Sequence, residues 1–254
     1  MSYAEIKEER RKIALAHTEK MLREYKKEIL FSINDSVVYD ERTVFYRSKD
    51  LKEAQSCFRN CDSVSALFEE KKEGKRMGVL NFASFHSPGG GFINGAIAQE
   101  EAICHESDLY SVLSACEDFY EYNNKHKNSG LYLDRALYSP EIVFVKDGVI
   151  KADVISCAAP NRTNAIRFNS FTDSENRAAL IRRAELIRNI AEEKNIDILI
   201  LGAWGCGVFK QDPVEVAGIF RDVFARTSVE RVVYAVPGDN DNAAEFRKIC
   251  QKIH

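Results

Sequence analysis

Residues 196–236 read IDILILGAWGCGVFKQDPVEVAGIFRDVFARTSVERVVYAV. The run IDILIL at 196–201 is short and apolar, the pattern of a strand covered on both faces. Closely spaced glycines at Gly202, Gly205 and Gly207 end it. Asp212 and Pro213 then open a helix over 213–226, because aspartate caps helix starts and proline is tolerated at the first helical position. RVVYAV at 231–236 is a second strand. A helix over 173–194 precedes this block and another over 240–251 follows it. Strands alternating with helices of this length imply an α/β layered fold around a central sheet.

Farther upstream, MGVLNFAS at 77–84 is a buried strand that SPGGG ends abruptly. Residues 94–122 carry one long helical pattern, with Ala98, Ala102, Leu109, Leu113, Cys116 and Tyr120 broadly on one face. Asn128-Ser129-Gly130 breaks the chain. EIVFVKDGVI at 141–150 reads as strand, Asp-Gly turn and strand, and ADVISCAAP at 152–160 as another strand. The N-terminal part reads as a helix over 4–31 with Ile13, Met21, Tyr25 and Ile29 near one stripe. A strand or short hairpin follows at 37–46. Leu51, Ala54, Phe58, Leu67 and Phe68 then suggest one or two helices before Gly74. Residues 1–75 are therefore expected as a helical extension on a core of 76–254, the whole of 1–254 being one domain.

The chain has 254 residues, 45% of them hydrophobic and 10% aromatic, enough to bury a substantial core and too apolar for disorder. Its formal charge of −3 argues against a basic nucleic-acid scaffold. No stretch is long and apolar enough for a membrane helix, and the charged start MSYAEIKEERRK lacks the apolar run of a secretory signal, so a soluble cytoplasmic protein is expected. The seven cysteines are scattered and odd in number, which suits reduced packing residues. Cys57 and Cys61 are spaced as one helical turn, with no histidine or cysteine nearby to complete a metal site.

Two glycine-rich loops follow strands, at the strand ends where open α/β sheets gather ligands. In the first, Gly89-Gly90-Gly91 lets the backbone approach a ligand and align several N–H groups. The helix that follows adds its positive end, which suits an anion such as phosphate. The second, 202–209, repeats the arrangement. Neither matches a dinucleotide fingerprint or a lysine-bearing phosphate loop. Two such loops on one crevice suit a diphosphate with a sugar at each end. Gln99-Glu100-Glu101 opens the helix after the triple glycine. Its neighbours Ala96, Ile97, Ala98, Ala102 and Ile103 are small or apolar, so the glutamates are expected half-buried. A carboxyl beside another carboxyl and a bound diphosphate has its pKa raised, as a general acid at neutral pH requires. Taken alone, both acids also suit a solvated helix start. Asp212 reads as a cap. Trp204 suits either stacking on a base or inward packing. His86 is expected as an exposed loop histidine, and His17, His105 and His126, on helices or their ends, are assigned no chemistry.

NFASFHSPGGGFINGAIAQEEAICHESDLY at 81–110 resembles the signature of the microbial-type poly(ADP-ribose) glycohydrolases, a branch of the macrodomain fold. LYLDRALYSPEIVFVKDG, ADVISCAAPN and GAWGCGVFKQDP resemble that family in the same order, and IALAHTEKML fits its N-terminal extension. The chain departs from the family at Phe85-His86-Ser87, where glycine or asparagine is common. The resemblance implies a three-layer α/β/α macrodomain-like fold with a central mixed β-sheet. It implies Glu101 as the catalytic glutamate, Glu100 as its neighbour on the ribose hydroxyls, and Asn81 on the distal ribose. Gly89, Gly90, Gly91 and Phe92 would bracket the diphosphate, with Asn94 and Gln99 close by. Gly205, Cys206, Gly207 and Val208 would form the second diphosphate loop, and Phe209 would pack beside the proximal ribose or adenine. No cofactor or metal is implied.

The implied reaction is hydrolysis of the ribose–ribose O-glycosidic bond of poly(ADP-ribose), with ADP-ribose as product. The alternatives are hydrolysis of a single ADP-ribose from protein, nucleic acid or a small metabolite, and a module that binds ADP-ribose without cleaving it. Neither a membrane nor sequence-specific nucleic-acid binding is expected.

Overall fold

The computed structural model describes residues 2–46 and 51–251. Met1, 47–50 and 252–254, part of the expected single domain, lie outside the described residues. The sheet contains seven strands: β1 (Val37–Tyr39), β2 (Gln55–Arg59), β3 (Met77–Asn81), β4 (Ala136–Val145), β5 (Val149–Cys157), β6 (Ile198–Leu201) and β7 (Arg231–Ala235). They lie in the order β1-β4-β5-β3-β6-β7-β2. The pairs β1/β4 and β4/β5 are antiparallel, whereas β5, β3, β6, β7 and β2 run parallel to one another.

The continuous apolar runs are explained by a sheet with helices on both faces. Leu80, Leu199, Leu201, Val232 and Tyr234 point into one core, which α8 (Asp173–Glu193), α9 (Pro213–Val223) and α10 (Asp241–Gln251) cover. Val79, Ile198, Ile200, Val233 and Ala235 alternate with them into a second core. That face is covered by α2 (Lys26–Asp35), α3 (Ser63–Glu69), α4 (Gln99–His105), α5 (Leu109–Ala115) and α6 (Glu117–Lys125), together with Ala14 of α1 (Tyr3–Glu24). This is the expected three-layer α/β/α arrangement with a mixed sheet. Among the described residues no helix is long and apolar enough to cross a membrane.

Several boundaries differ from expectation. The N-terminal helix breaks at Tyr25, and Ile13 faces solvent while Ala14, Met21 and Ile29 are buried. The strand expected over 37–46 stops at Tyr39. The helical reading of 51–58 fails: 55–59 is an edge strand pairing with β7, and α3 starts only at Ser63 behind the cap of Asp62. Cys57 therefore lies on a strand and Cys61 in the turn after it, not on one helical turn. Residues 1–75 thus supply both edge strands of the sheet as well as helices. The pattern over 94–122 divides into α4, α5 and α6. Ser107 and Asp108 interrupt it by pairing with β4, Ser107 bridging to Phe144 and the Asp108 N–H donating to the Val143 carbonyl at 3.1 Å. The strands expected at 148–150 and 152–157 are one strand, β5. A further helix, α7 (Arg162–Asn169), is capped by Asn161. In β4 the register shifts between Ser139 and Ile142, where Pro140 lacks an N–H and Glu141 takes a positive φ of 51°.

Candidate active site

Because β5, β3, β6 and β7 are parallel neighbours, their C-terminal ends at Cys157, Asn81, Leu201 and Ala235 emerge along one edge. The two glycine loops leave from β3 and β6, which are adjacent, so the crevice is built by topology. The loops also meet farther out. Tyr132 stacks flat on Phe85 of the first loop, centroids 4.3 Å apart, and touches Phe209 of the second at 6.0 Å.

The first loop folds around the paired glutamates. The Gly90 N–H donates to the Ser87 carbonyl at 3.1 Å, and Gly90 takes a φ of +60°. A Cβ on Gly90 would stand 2.7 Å from Glu101 Oε1 and 2.9 Å from Glu100 Oε2. Adjacent helical residues diverge by about 100°, yet both carboxyls reach this one glycine because the loop doubles back over the first turn of α4. The Gly91 N–H donates to Glu101 Oε1 at 2.9 Å, while Glu101 Oε2 is buried without a hydrogen-bond partner among the described residues. Glu100 accepts from the Ser84 N–H at 2.7 Å and from Asn81 Nδ2 at 3.2 Å. Burial pushes the Glu100 carboxyl up to about 8, against the opposing pull of those donors, so it is mostly neutral at pH 7.

Asn81 Nδ2 also donates to Ser156 Oγ at 3.0 Å, which turns Oδ1 the other way, buried and without a donor among the described residues. The end of β3 thus carries two bare acceptors, Glu101 Oε2 and Asn81 Oδ1, beside a neutral acid. Buried acceptors without donors are costly and uncommon, and a ligand bearing hydroxyls would satisfy them.

The second loop is turned by Gly205, whose φ is +75° and whose Cβ would stand 2.6 Å from that of Ala159. Among the described residues, no atom beyond its chain neighbours lies within 4 Å of where a Cβ on Gly207 would be, leaving its backbone open to close approach. Val208 is 79% exposed beside it. Cys206 is half-buried and its thiol is pushed up to about 12 by burial, so it stays neutral. Phe209 packs against Phe85, Tyr132 and Ala158. Asp212 caps α9, accepting from the Val214 N–H at 2.8 Å.

Two expected residues play other parts, and Trp204 takes the inward one of its two expected roles. Phe92 has no exposed surface; its ring packs on His105 and Tyr110 at centroid distances of 4.7 and 5.1 Å, so its side chain cannot bracket a diphosphate. The Gln99 amide is spent on the scaffold. Its Oε1 accepts from the Phe82 N–H at 2.8 Å, and its Nε2 donates to the Leu80 carbonyl at 2.8 Å and Ser63 Oγ at 3.0 Å. Trp204 packs inward and donates from Nε1 to the Cys157 carbonyl at 2.9 Å. Asn94 is exposed at the end of the 3-10 turn Phe92–Asn94, its N–H on the Gly91 carbonyl at 2.9 Å.

Other site features had little signal in the sequence. Ser84 holds Glu100, and Tyr132 joins the two loops. Tyr132 sits at a φ of +62°, after positive values at Asn128, Ser129 and Gly130. Only the Asn-Ser-Gly break marks that segment beforehand. An apolar pocket of about 250 Å³ also opens beside the crevice, walled by Val64, Phe82, Ile97, Ala98, Ala203 and Val236. Its walls come from five separate stretches of chain, which no local pattern reveals.

The family model for the microbial-type PARG catalytic domain matches residues 8–147. Among solved structures, the poly(ADP-ribose) glycohydrolase of Thermomonospora curvata is similar at 27% identity and a TM-score of 0.84, covering 95% of this chain and 99% of its own. The same enzyme bound to the inhibitor ADP-HPD is similar at 27% identity and a TM-score of 0.80, with the same coverage. The poly(ADP-ribose) glycohydrolase of Deinococcus radiodurans in complex with ADP-ribose is similar at 25% identity and a TM-score of 0.77, covering 89% of this chain and 98% of its own. No curated protein matches the chain in sequence.

Proposed function

The chain belongs to the microbial-type poly(ADP-ribose) glycohydrolases, a family of hydrolases, and from that premise we propose how its own residues cleave the ribose–ribose bond of poly(ADP-ribose). The adenine enters the apolar pocket, where a planar base loses little and gains contact with Phe82 and Val236. The diphosphate lies between the backbones of 89–91 and 205–207, and Gly207 is open for its approach. The distal ribose then comes to the end of β3, and its hydroxyls donate to Asn81 Oδ1 and meet the neutral Glu100.

Glu101 acts as the general acid, giving a proton through Oε2 to the leaving ribose oxygen as the bond to the anomeric carbon breaks. The positive charge on the sugar is offset by the diphosphate held beside it. Water attacks the anomeric carbon and its proton returns to Glu101, so the net change is addition of one water across the bond. Glu100 orients the sugar and does not attack. Its neutrality near pH 7 avoids two adjacent negative charges on one crevice wall once Glu101 has given up its proton.

One observation carries this reading: Glu101 Oε2 is a buried carboxyl oxygen without a partner among the described residues, fixed through Oε1 to Gly91 and flanking a glycine loop. The test is release of ADP-ribose from purified poly(ADP-ribose) by the parent and by Glu101→Gln. Release by the parent, lost by a factor of about 10³ or more in the variant while ADP-ribose still binds, supports Glu101 as the acid. Equal release by both proteins removes Glu101 from the chemistry.

A further inference from the structure

His86 stands where the chain departs from the signature it otherwise follows, and the mechanism above does not use it. Its ring is held in one orientation. Asn124 of α6 donates from Nδ2 to the His86 carbonyl at 2.9 Å, which leaves Asn124 Oδ1 as an acceptor. Oδ1 lies 3.0 Å from His86 Nδ1, so Nδ1 carries a proton and Nε2 is the bare nitrogen of the neutral ring. Nε2 has no hydrogen-bond partner among the described residues. The ring stands edge-on to Phe85 at 5.6 Å and to Tyr132 at 5.3 Å. The His86 and Ser87 N–H groups both donate to Ser84 Oγ at 3.2 Å, and the Ser84 N–H donates to Glu100. The imidazole is therefore fastened to α6, and the backbone that carries it is tied through Ser84 to the buried glutamate.

The substrate's direction places this ring beyond the scissile bond. The apolar pocket touches the second loop at Ala203, near the start of that loop. Phe209, at its other end, touches Tyr132, which touches His86. A substrate with its base in the pocket and its distal ribose at the glutamates continues, past that ribose, toward the Phe85–Tyr132–His86 group. We infer that His86 is a leaving-side contact whose Nε2 accepts a hydrogen bond from a ribose hydroxyl of the next ADP-ribose unit. The contact makes polymer, rather than a single ADP-ribose on protein, the favoured substrate. The inference rests on the hydrolase reading above, and its test is a binding measurement so that the two can fail separately.

In full-length Glu101→Gln protein, calorimetry compares ADP-ribose with a short poly(ADP-ribose) oligomer. The oligomer is expected to bind more tightly, because only it reaches His86. Adding His86→Ala is expected to weaken oligomer binding about fivefold, the worth of one ordinary hydrogen bond, and to leave ADP-ribose binding unchanged. His86→Gln, which can present an amide oxygen where Nε2 stood, recovers part of the loss. Asn124→Ala, which frees the ring, reproduces part of it. Equal weakening of both ligands, no weakening of either, or an oligomer that binds no better than ADP-ribose each overturns the inference. A parent protein that releases no ADP-ribose overturns the hydrolase reading alone, whatever these affinities show.

Discussion

Replacing Glu100 by glutamine tests the electrostatics of the site without reference to substrate. Burial raises the Glu100 pKa from 4.5 in the unfolded chain to about 8 in the fold. The folded protein thus prefers the neutral acid. The resulting stability is fully present below pH 4.5 and is lost as the pH rises through 8. At 1.36 kcal/mol per pKa unit, the parent is destabilised by about 3 kcal/mol at pH 7 and nearly 5 kcal/mol at pH 9, relative to acid conditions. Glutamine is neutral throughout. Its amide oxygen can take only part of what Ser84 and Asn81 donate, which adds a constant offset and leaves the slope alone. Urea unfolding of both proteins at pH 5, 7 and 9 should show the variant gaining on the parent by about 2–3 kcal/mol between pH 5 and 7. A further, smaller gain of about 1 kcal/mol is expected between pH 7 and 9. Asp108 is also pushed up, to about 7, but it is common to both proteins and cancels in the difference. Parallel stability profiles across this range would refute the claim that Glu100 is buried as a neutral acid.

Two other perturbations separate catalytic geometry from scaffold. Gly90→Ala puts a Cβ 2.7 Å from Glu101 Oε1 at a φ of +60°, so hydrolysis should fall at least about a hundredfold while circular dichroism stays native; retained activity would mean the carboxyls need not stand where they do. Gln99→Ala removes three hydrogen bonds to Phe82, Leu80 and Ser63, so it should cost about 2–4 kcal/mol in urea unfolding. A stable Gln99→Ala protein with weakened ADP-ribose binding would instead return Gln99 to the ligand.

The parts of the fold legible in the sequence are those decided by local pattern. IDILIL and RVVYAV read as strands from their composition, and the glycines after β3 and β6 as loops that end them. Edge strand β2 was illegible because QSCFR is half-buried and lacks a continuous apolar run; its pairing with β7 comes from residues some 175 positions away. The helix over 94–122 was read as one because its apolar face is nearly continuous. Its division at Ser107 and Asp108 depends on partners in β4. Within the site, the motif residues Asn81, Glu100, Glu101 and the triple glycine come together, since they flank one strand end. Phe92 turns inward because the 3-10 turn after Gly91 faces it toward His105 and Tyr110, a rotation that residue spacing alone does not encode. His86 acquires a partner in Asn124, 38 residues on, and without that contact it reads as any exposed loop histidine.

What distinguishes the end of β3 from the rest of the sheet is the balance of its polar groups. At the opposite end of the sheet, buried Asp153 accepts from Arg76 at 2.6 Å, Tyr138 at 2.8 Å and the Glu141 N–H at 3.0 Å, so its charge is fully answered within the protein. Asn81 and Glu101 are as well placed for partners, yet among the described residues each keeps one acceptor bare, and Glu100 is buried as a neutral acid. A chain selected only for stability would supply a lysine, an arginine or a hydroxyl there, as it does at Asp153. Each such group would, however, occupy the space of a ribose hydroxyl or hold the proton that the leaving oxygen needs. The instability of this edge and its capacity to bind and cleave a glycoside therefore have one cause: two polar side chains, Asn81 and Glu101, fastened by one side only beside a buried acid, with the other side left for a ligand that brings its own donors.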